Sequence, residues 1–312
     1  MTARMLLLLL LAALAACKGQ VHFTAAQKLG GQDVPAHVLN EGHEAYMRYC
    51  YACHGDKGDG NGPAAPTMRP PPRDLGTGVF KFAGVATGEL PNDDDLEVLI
   101  RRGLSGTPML PWDIGERERR AIVQYLKTFS PRWKNETPGE RIKPDGDDPW
   151  KGKETEAVAT GEVIYHLTGV QMDPATKAPK LILAGCNACH PSYLPAVELE
   201  AMSQRVLGKP FALREDPHRS ALKESEYVAG KTNPVKMWIL PTDFLFHPIK
   251  TGTEPLTLFR TVAAGVGGTA MPTWKGSLKD ADLWALVHYV RRLALLRDTP
   301  AASALQRRLA GR

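Results

Sequence analysis

Apolar residues recur along this chain at helical spacing, in segments separated by polar stretches, and this pattern predicts helices joined by polar loops. An apolar run from Met5 to Leu14 follows Arg4 and is too short to cross a bilayer, which is typical of an export signal over residues 1–16. Residues 17–40 show little periodicity and indicate a tether. A later stripe at i, i+3, i+4 and i+7 predicts a helix with one core-facing side, formed by Ile122, Tyr125, Leu126 and Phe129.

Two further helices are predicted in the first half. One begins after Asn40, a suitable N-cap, and leads through Tyr46 to Cys50. The other opens on Asn92 and the acidic run Asp93–Asp95, because carboxylates are favourable at the positive end of a helix dipole.

The second half of the chain repeats the first, which predicts two domains. The matched segments are 42–46 with 161–165, 72–75 with 241–244, 103–109 with 265–271, and 122–126 with 286–290. We therefore predict one domain at 41–133 and a second, with insertions, at 159–297, separated by a Pro- and Gly-rich linker at 134–158. Residues 298–312 are a basic tail, expected to be frayed.

Each domain contains one C-x-x-C-H motif, at residues 50–54 and 186–190. Two intervening residues let both thiols reach the vinyl groups of one porphyrin edge, and the adjacent His can bind the iron. A zinc or dithiol site with a chance His is the alternative, which the second occurrence disfavours. The motifs predict two covalent haem c groups, with thioethers from Cys50, Cys53, Cys186 and Cys189 and iron ligands from His54 and His190.

The fifth cysteine, Cys17, has no partner, because the other four belong to these motifs. It ends the segment Leu14–Cys17, which resembles the lipobox of bacterial lipoproteins, whose Cys is lipidated. Ordinary cleavage after an A-x-A-like site is the alternative. We expect a protein of the bacterial cell envelope, anchored by lipid on Cys17 and facing the periplasm or the outer side.

Charge adds little to this interpretation. The formal net charge is +5 over 312 residues, and loss of Arg4 together with the haem carboxylates brings the mature protein near neutrality. No basic stripe is present, so nucleic acid is not an expected partner.

The second axial ligand decides what an iron can do. Met109 and Met271 end the two G-x-x-G-T-x-M segments. A thioether sulfur is soft and favours ferrous iron, and although an isolated Met more often fills a core, the repeated heptapeptide favours ligation by both. The competing side chains are Met47, Met68, Met202, Met237, His218 and His247.

The order of N-terminal helix, C-x-x-C-H, Pro-containing loop, G-T-x-M and closing aromatic helix resembles the class I c-type cytochrome domain, present twice. The resemblance implies an all-α fold built around each haem. It also implies that the first and last helices cross near Gly42 and Tyr125 in one domain and near Gly161 and Tyr289 in the other.

The resemblance further implies a Pro carbonyl that accepts a hydrogen bond from each proximal imidazole, for which Pro63 and Pro195 are the candidates. It implies electron transfer, here as a tethered dihaem carrier between a membrane-bound respiratory complex and another redox protein such as a cytochrome. A dihaem cytochrome c peroxidase is disfavoured, since no His lies between His54 and Trp150 to assist O–O cleavage. A fixed subunit of a larger oxidoreductase stays open.

Overall fold

The structure is a computed structural model that describes residues 22–172, 179–227 and 235–311, so the predicted export signal and Cys17 lie outside the described residues. Helices dominate it, which confirms the predicted fold class. Among the described residues, none of the helices combines the length and hydrophobicity that crossing a membrane requires. The first domain contains β1 (Gln27–Leu29), β2 (Gln32–Val34), α1 (Ala36–Tyr49), α2 (Tyr51–His54), α3 (Asp93–Arg102), α4 (Glu116–Leu126) and α5 (Arg132–Asn135).

The second domain repeats this helical frame and adds two hairpins. Its elements are α6 (Glu154–His166), β3 (Thr168–Met172), β4 (Pro179–Ala184), α7 (Ala196–Leu207), β5 (Lys223–Tyr227), β6 (Val235–Ile239), α8 (Pro255–Ala264), α9 (Asp280–Leu296) and α10 (Pro300–Leu309). The strands pair antiparallel as β1–β2, β3–β4 and β5–β6. The two insertions predicted for this domain therefore contain a hairpin each, one on either side of the second C-x-x-C-H motif.

The first and last helices of each domain cross at a glycine, as predicted. A Cβ added to Gly42 would lie 2.2 Å from the Ala121 carbonyl oxygen, where α1 meets α4. A Cβ on Gly161 would lie 2.1 Å from the Ala285 carbonyl oxygen, where α6 meets α9. The backbones of each pair are thus in direct contact, and only a residue without a Cβ fits between them.

The tether prediction is wrong for residues 27–40, which belong to the first domain. The β1–β2 hairpin buries Leu29 and Val34, and Leu39 lies on the buried side of α1. Asn40 lies inside α1 rather than at its cap, and its side chain forms hydrogen bonds with both the N–H and the carbonyl of Phe23. Short strands bury one apolar residue each, so they leave no periodic signal in the sequence.

The predicted linker 134–158 is packed against both domains instead of merely separating them. Ile142 is buried among second-domain residues while its N–H donates to the Gly84 carbonyl of the first domain. The indole N–H of Trp150 donates to the Ala281 carbonyl at 2.8 Å. From Glu154 onward the segment is already helix α6. Composition predicted its irregular backbone but not the single side chains that fix it in place.

The basic tail is ordered as helix α10, so the expectation of fraying is wrong. Thr299 caps the helix by accepting a hydrogen bond from the Ala302 N–H. Ala302 is buried against the second-domain core, and Arg308 forms an ion pair with Glu198 of α7. These contacts explain why a segment with a weak apolar pattern stays helical.

Candidate haem sites

An apolar cavity of 230 Å³ lies in the first domain and brings the predicted haem residues together. Cys50, Cys53, His54 and Met109 all line it, although they come from the junction of α1 and α2, from α2 itself and from the loop after α3. Met68, one of the competing sulfur ligands, lines it as well. The other competing sulfur in this domain, on Met47, belongs to an exposed residue and does not line the cavity.

The proximal imidazoles of both domains are held by the same kind of hydrogen bond. The Nδ1 atom of His54 lies 3.0 Å from the Arg73 carbonyl oxygen, and that of His190 lies 2.9 Å from the Thr242 carbonyl oxygen. A carbonyl can only accept, so Nδ1 carries the proton in each ring. The Nε2 lone pair is therefore available to bind a metal, and the ring orientation is fixed.

These acceptors correct the prediction that Pro63 and Pro195 hold the imidazoles. The chain at Gly62, just before Pro63, folds back onto the haem motif, because the Gly62 N–H donates to the Cys53 carbonyl. Pro195 is the N-cap of α7, and its carbonyl accepts from the first turn of that helix.

Sequence reasoning missed the true acceptors, although a signal for them was present. Arg73 and Thr242 occupy equivalent positions in the matched segments 72–75 and 241–244, each directly after a proline. The repeat of that short segment was the available clue, since it preserves a backbone position that no side-chain type marks.

Burial keeps the predicted ligand side chains in protonation states that suit iron binding. Burial lowers the pKa of His54 and of His190, and the hydrogen bonds to the carbonyls only partly oppose this. Both imidazoles are neutral at pH 7, which is the form that binds iron. Burial raises the pKa of the Cys50 and Cys186 thiols to about 12, so these sulfurs lie where an uncharged thioether is favourable.

Tyrosines of the crossing helices fix the chain beside each motif. The Tyr46 hydroxyl donates to the Gly55 carbonyl at 2.6 Å, and the Tyr165 hydroxyl donates to the carbonyl that follows His190 at 2.9 Å. Tyr125 and Tyr289 pack on these two rings, each with a centroid distance of 5.3 Å and an interplanar angle of 58°. Tyr125 and Tyr289 therefore support the motifs indirectly, by packing on Tyr46 and Tyr165.

The two methionine loops have the same hydrogen-bonded conformation. In the first, the Leu104 N–H donates to the Met109 carbonyl at 2.8 Å, and the Thr107 hydroxyl donates to the Leu104 carbonyl at 2.7 Å. The Met109 N–H in turn donates to the Thr107 hydroxyl at 3.2 Å. The same three bonds recur in the second loop, at Val266, Thr269 and Met271. The repeated heptapeptide is therefore also a repeated structure.

In the second domain, two of the four competing side chains lie in the core or are hydrogen-bonded elsewhere. Met202 is buried in the second-domain core, and the Nδ1 atom of His218 forms a hydrogen bond with the Ser192 carbonyl. His247 is an exposed residue whose backbone N–H donates to the Asp243 carbonyl. The side chain of Met237 lies outside the described residues. Phe244 stacks on the His190 ring at a centroid distance of 5.1 Å and an angle of 14°.

The methionine loop of each domain is bonded to the other domain. The Ser105 N–H donates to the Lys250 carbonyl at 3.0 Å, and the Gly267 N–H donates to the Lys81 carbonyl at 3.0 Å. Ser105 and Gly267 are equivalent in the repeat, as are Lys81 and Lys250. The Thr87 N–H adds a bond of 2.8 Å to the hydroxyl of Thr273. The domain interface therefore has approximate twofold symmetry.

Two equivalent nine-residue segments of the chain connect the two sites. Arg73–Lys81 begins at the carbonyl that holds His54 and ends at the carbonyl that holds the second methionine loop. Thr242–Lys250 begins at the carbonyl that holds His190 and ends at the one that holds the first methionine loop. Each segment thus connects the proximal side of one site to the distal loop of the other.

The residues of the first site fit a covalently attached haem c. They provide a cavity with mainly apolar walls, two thiols at one edge, a neutral imidazole with a free Nε2 atom, and thioether sulfur on Met109. This combination matches the ligands that hold haem c in proteins.

Comparison with known proteins agrees with this fit. Residues 37–126 and 242–290 match the family model of the cbb3-type cytochrome c oxidase subunit III. A chain of the reducing HAO-like protein complex of Kuenenia stuttgartiensis has a similar structure, with a TM-score of 0.59 and 25% sequence identity, over 81% of this chain and 95% of that one. No curated protein sequence matches. The matched stretches 37–126 and 242–290 are therefore class I c-type cytochrome sequence, a family whose members bind haem c covalently and transfer electrons.

Proposed function

We propose that this chain is a dihaem electron carrier, tethered to a membrane of the bacterial cell envelope, which relays single electrons between respiratory redox partners. The observation that supports it most directly is the equivalence of the two sites. Each has a C-x-x-C-H motif, an imidazole bonded to a carbonyl, and a methionine loop of the same conformation. Two sites with the same ligand set suit one-electron transfer at both haems. An enzyme in which one haem stores an electron and the other reacts with substrate would need two different sites.

Haem c supplies a one-electron ferrous–ferric couple when bound. His54 and Met109 of this chain would hold the haem iron in the first domain, and His190 and Met271 would hold it in the second. An iron held by these two side chains would leave no room for a substrate, which would distinguish a carrier from a peroxidase. The surrounding apolar residues exclude water, and the fixed loops keep the ligands in place during oxidation and reduction.

The backbone bonds at the domain interface support electron exchange between the two sites. Each methionine loop contacts the other domain through a backbone hydrogen bond, so the distal sides of both sites lie near the interface. This proximity supports electron exchange within the chain, so that a donor and an acceptor can dock on different domains.

The membrane tether is proposed from Cys17 and the apolar run before it. Several acyl chains on one cysteine hold a protein firmly at a membrane, whereas one chain binds only marginally. Replacement of Cys17 with Ser is expected to move the protein into the soluble envelope fraction without loss of haem. If the protein stays in the membrane fraction after this replacement, the lipid-anchor proposal is wrong.

A fixed subunit of a larger complex is the second candidate, because the similar chain from Kuenenia stuttgartiensis belongs to a complex. A mobile carrier should separate from its partners at moderate salt, since contacts between exposed charges are screened. Co-purification with one stoichiometric partner at high salt would instead identify a fixed subunit.

The axial ligands provide the central experiment. The full-length protein should contain two haems per chain, show the weak far-red sulfur-to-iron band when ferric, and not bind carbon monoxide when ferrous. Met109→Ala and Met271→Ala should each remove part of that band and open one iron to carbon monoxide. Met47→Ala is the control, because this exposed methionine lies outside the cavity. Carbon monoxide binding by the unaltered protein would contradict the carrier proposal and favour the peroxidase.

A further inference from the structure

Three cationic side chains line the cavity of the first domain, and one of them comes from the second domain. Arg73 and Lys81 belong to the first domain, and Lys250 belongs to the second. No carboxylate of the described residues pairs with the ammonium group of Lys81 or Lys250. The first haem site is therefore built from both domains.

Backbone hydrogen bonds hold both lysines at this place. The Lys250 carbonyl accepts from the Ser105 N–H and the Lys81 carbonyl accepts from the Gly267 N–H, each at 3.0 Å. Both lysines lie seven positions after the equivalent aspartates Asp74 and Asp243. Their presence at the interface is thus a product of the repeat and of the domain contact, and it does not depend on a flexible surface loop.

Buried ammonium groups without anions are unfavourable in a protein interior. Burial, followed by the positive charges of Arg73 and Lys250, lowers the pKa of Lys81 to about 8, and burial also lowers the pKa of Lys250. A cluster of like charges beside an apolar cavity is expected to meet an anion there. Haem c carries two carboxylates on one edge, whereas no carboxylate of the described residues contributes to the pKa of Lys81 or Lys250.

We propose that Lys81 and Lys250 form one cationic site, shared between the domains, that binds the carboxylates of the haem in the first domain. The second domain thereby completes the haem site of the first. This inference rests on the haem attachment in the proposed function and is independent of the identity of the redox partners.

The two positive charges stabilise the reduced state of the nearby haem, which carries one positive charge less. Removing one ammonium group is expected to lower the ferrous-to-ferric ratio at a fixed applied potential by about tenfold, for a charge about 10 Å from the iron in an effective dielectric of about 20. For a one-electron couple this corresponds to about 59 mV.

The experiment uses the full-length holoprotein with Lys250→Met, Lys81→Met or Lys250→Arg. The matched control is Lys134→Met, which removes the same charge from an exposed position on α5. Haem stoichiometry and the far-red band are measured first, followed by a spectroelectrochemical titration. Resonance Raman spectra then report the bending vibration of the haem carboxylates, which responds to direct contact with an ammonium group.

We expect Lys250→Met and Lys81→Met each to lower the ferrous-to-ferric ratio of one haem about tenfold at a fixed applied potential. Each should also shift the carboxylate vibration. Lys250→Arg should retain the reduction step because it keeps the charge, and Lys134→Met should change neither signal. Unchanged potential and vibration in a Lys250→Met protein with both haems attached would overturn the inference and leave the proposed function intact. Should that variant fail to load haem, the Lys81→Met result decides in the same way. An unaltered protein without covalent haem would refute the proposed function itself.

Discussion

The helix crossing at Gly42 allows a quantitative prediction. In Gly42→Ala the new Cβ would lie 2.2 Å from the Ala121 carbonyl oxygen and 2.8 Å from the Tyr125 Cβ atom. Both are closer than ordinary contacts of about 3.5 Å, so α1 and α4 must separate by roughly 1 Å. The obstacle is backbone and cannot rotate away, which places the cost near the upper end of overpacking, about 3 kcal/mol. The better helix propensity of Ala offsets about 1 kcal/mol of this.

The net loss is therefore about 2 kcal/mol, which corresponds to a melting temperature lower by about 10 °C for a domain of this size. Thermal unfolding followed by circular dichroism measures it, and hydrogen exchange of α1 and α4 assigns the loss to the first domain. Gly115→Ala is the matched control, because nothing lies within 4 Å of a Cβ at that glycine, and its stability should stay within about 1 kcal/mol of the unaltered protein. Equal stability of Gly42→Ala and Gly115→Ala would refute the contact argument.

Three further predictions concern the interface, pH and a buried ion pair. Ser105→Pro keeps the β-turn Leu104–Thr107, in which Gly106 has a positive φ, but removes the N–H that reaches Lys250. The interface should therefore exchange hydrogen about fivefold faster, for a bond worth about 1 kcal/mol, and unchanged exchange would contradict this. Burial lowers the pKa of His166 to about 4 against 6.5 when unfolded, so the unfolded chain binds more protons between these values. Stability should therefore fall by about 3 kcal/mol from pH 6.5 to pH 4 in urea titrations, and a His166→Gln variant with the same slope would disprove the assignment. Lys127→Met removes the buried partner of a carboxylate 2.6 Å away and should cost about 2 kcal/mol in urea unfolding, which unchanged stability would exclude.

The success of sequence reasoning depended on whether a feature is carried by a side-chain type. The C-x-x-C-H motifs, the methionine loops and the crossing at Gly42 need particular residues, so they could be predicted. The acceptor carbonyls of Arg73 and Thr242 could not be assigned, because every residue has a carbonyl and only the backbone path decides which one meets the imidazole. Pro63 and Pro195 were the candidates because the family resemblance implies a proline carbonyl, and the structure assigns the role to the residues after two other prolines.

The same reasoning applies to the parts that pack without periodicity. The hairpin at Gln27–Val34 and the segment around Ile142 contribute one or two buried side chains each. Their positions depend on tertiary contacts, such as the bond between Ile142 and Gly84, that no local pattern encodes. The reciprocal bonds of Ser105 and Gly267 escaped prediction for the same reason.

The segments Arg73–Lys81 and Thr242–Lys250 also determine how far this chain can be divided. Cleavage in the 134–153 region would leave each half with its own motif and its own methionine, and sequence alone would describe the products as two independent cytochromes. Each product, however, would expose a loop amide whose acceptor had departed with the other half. The duplicated chain has become a single unit in which neither copy retains a complete set of supports for its own ligands.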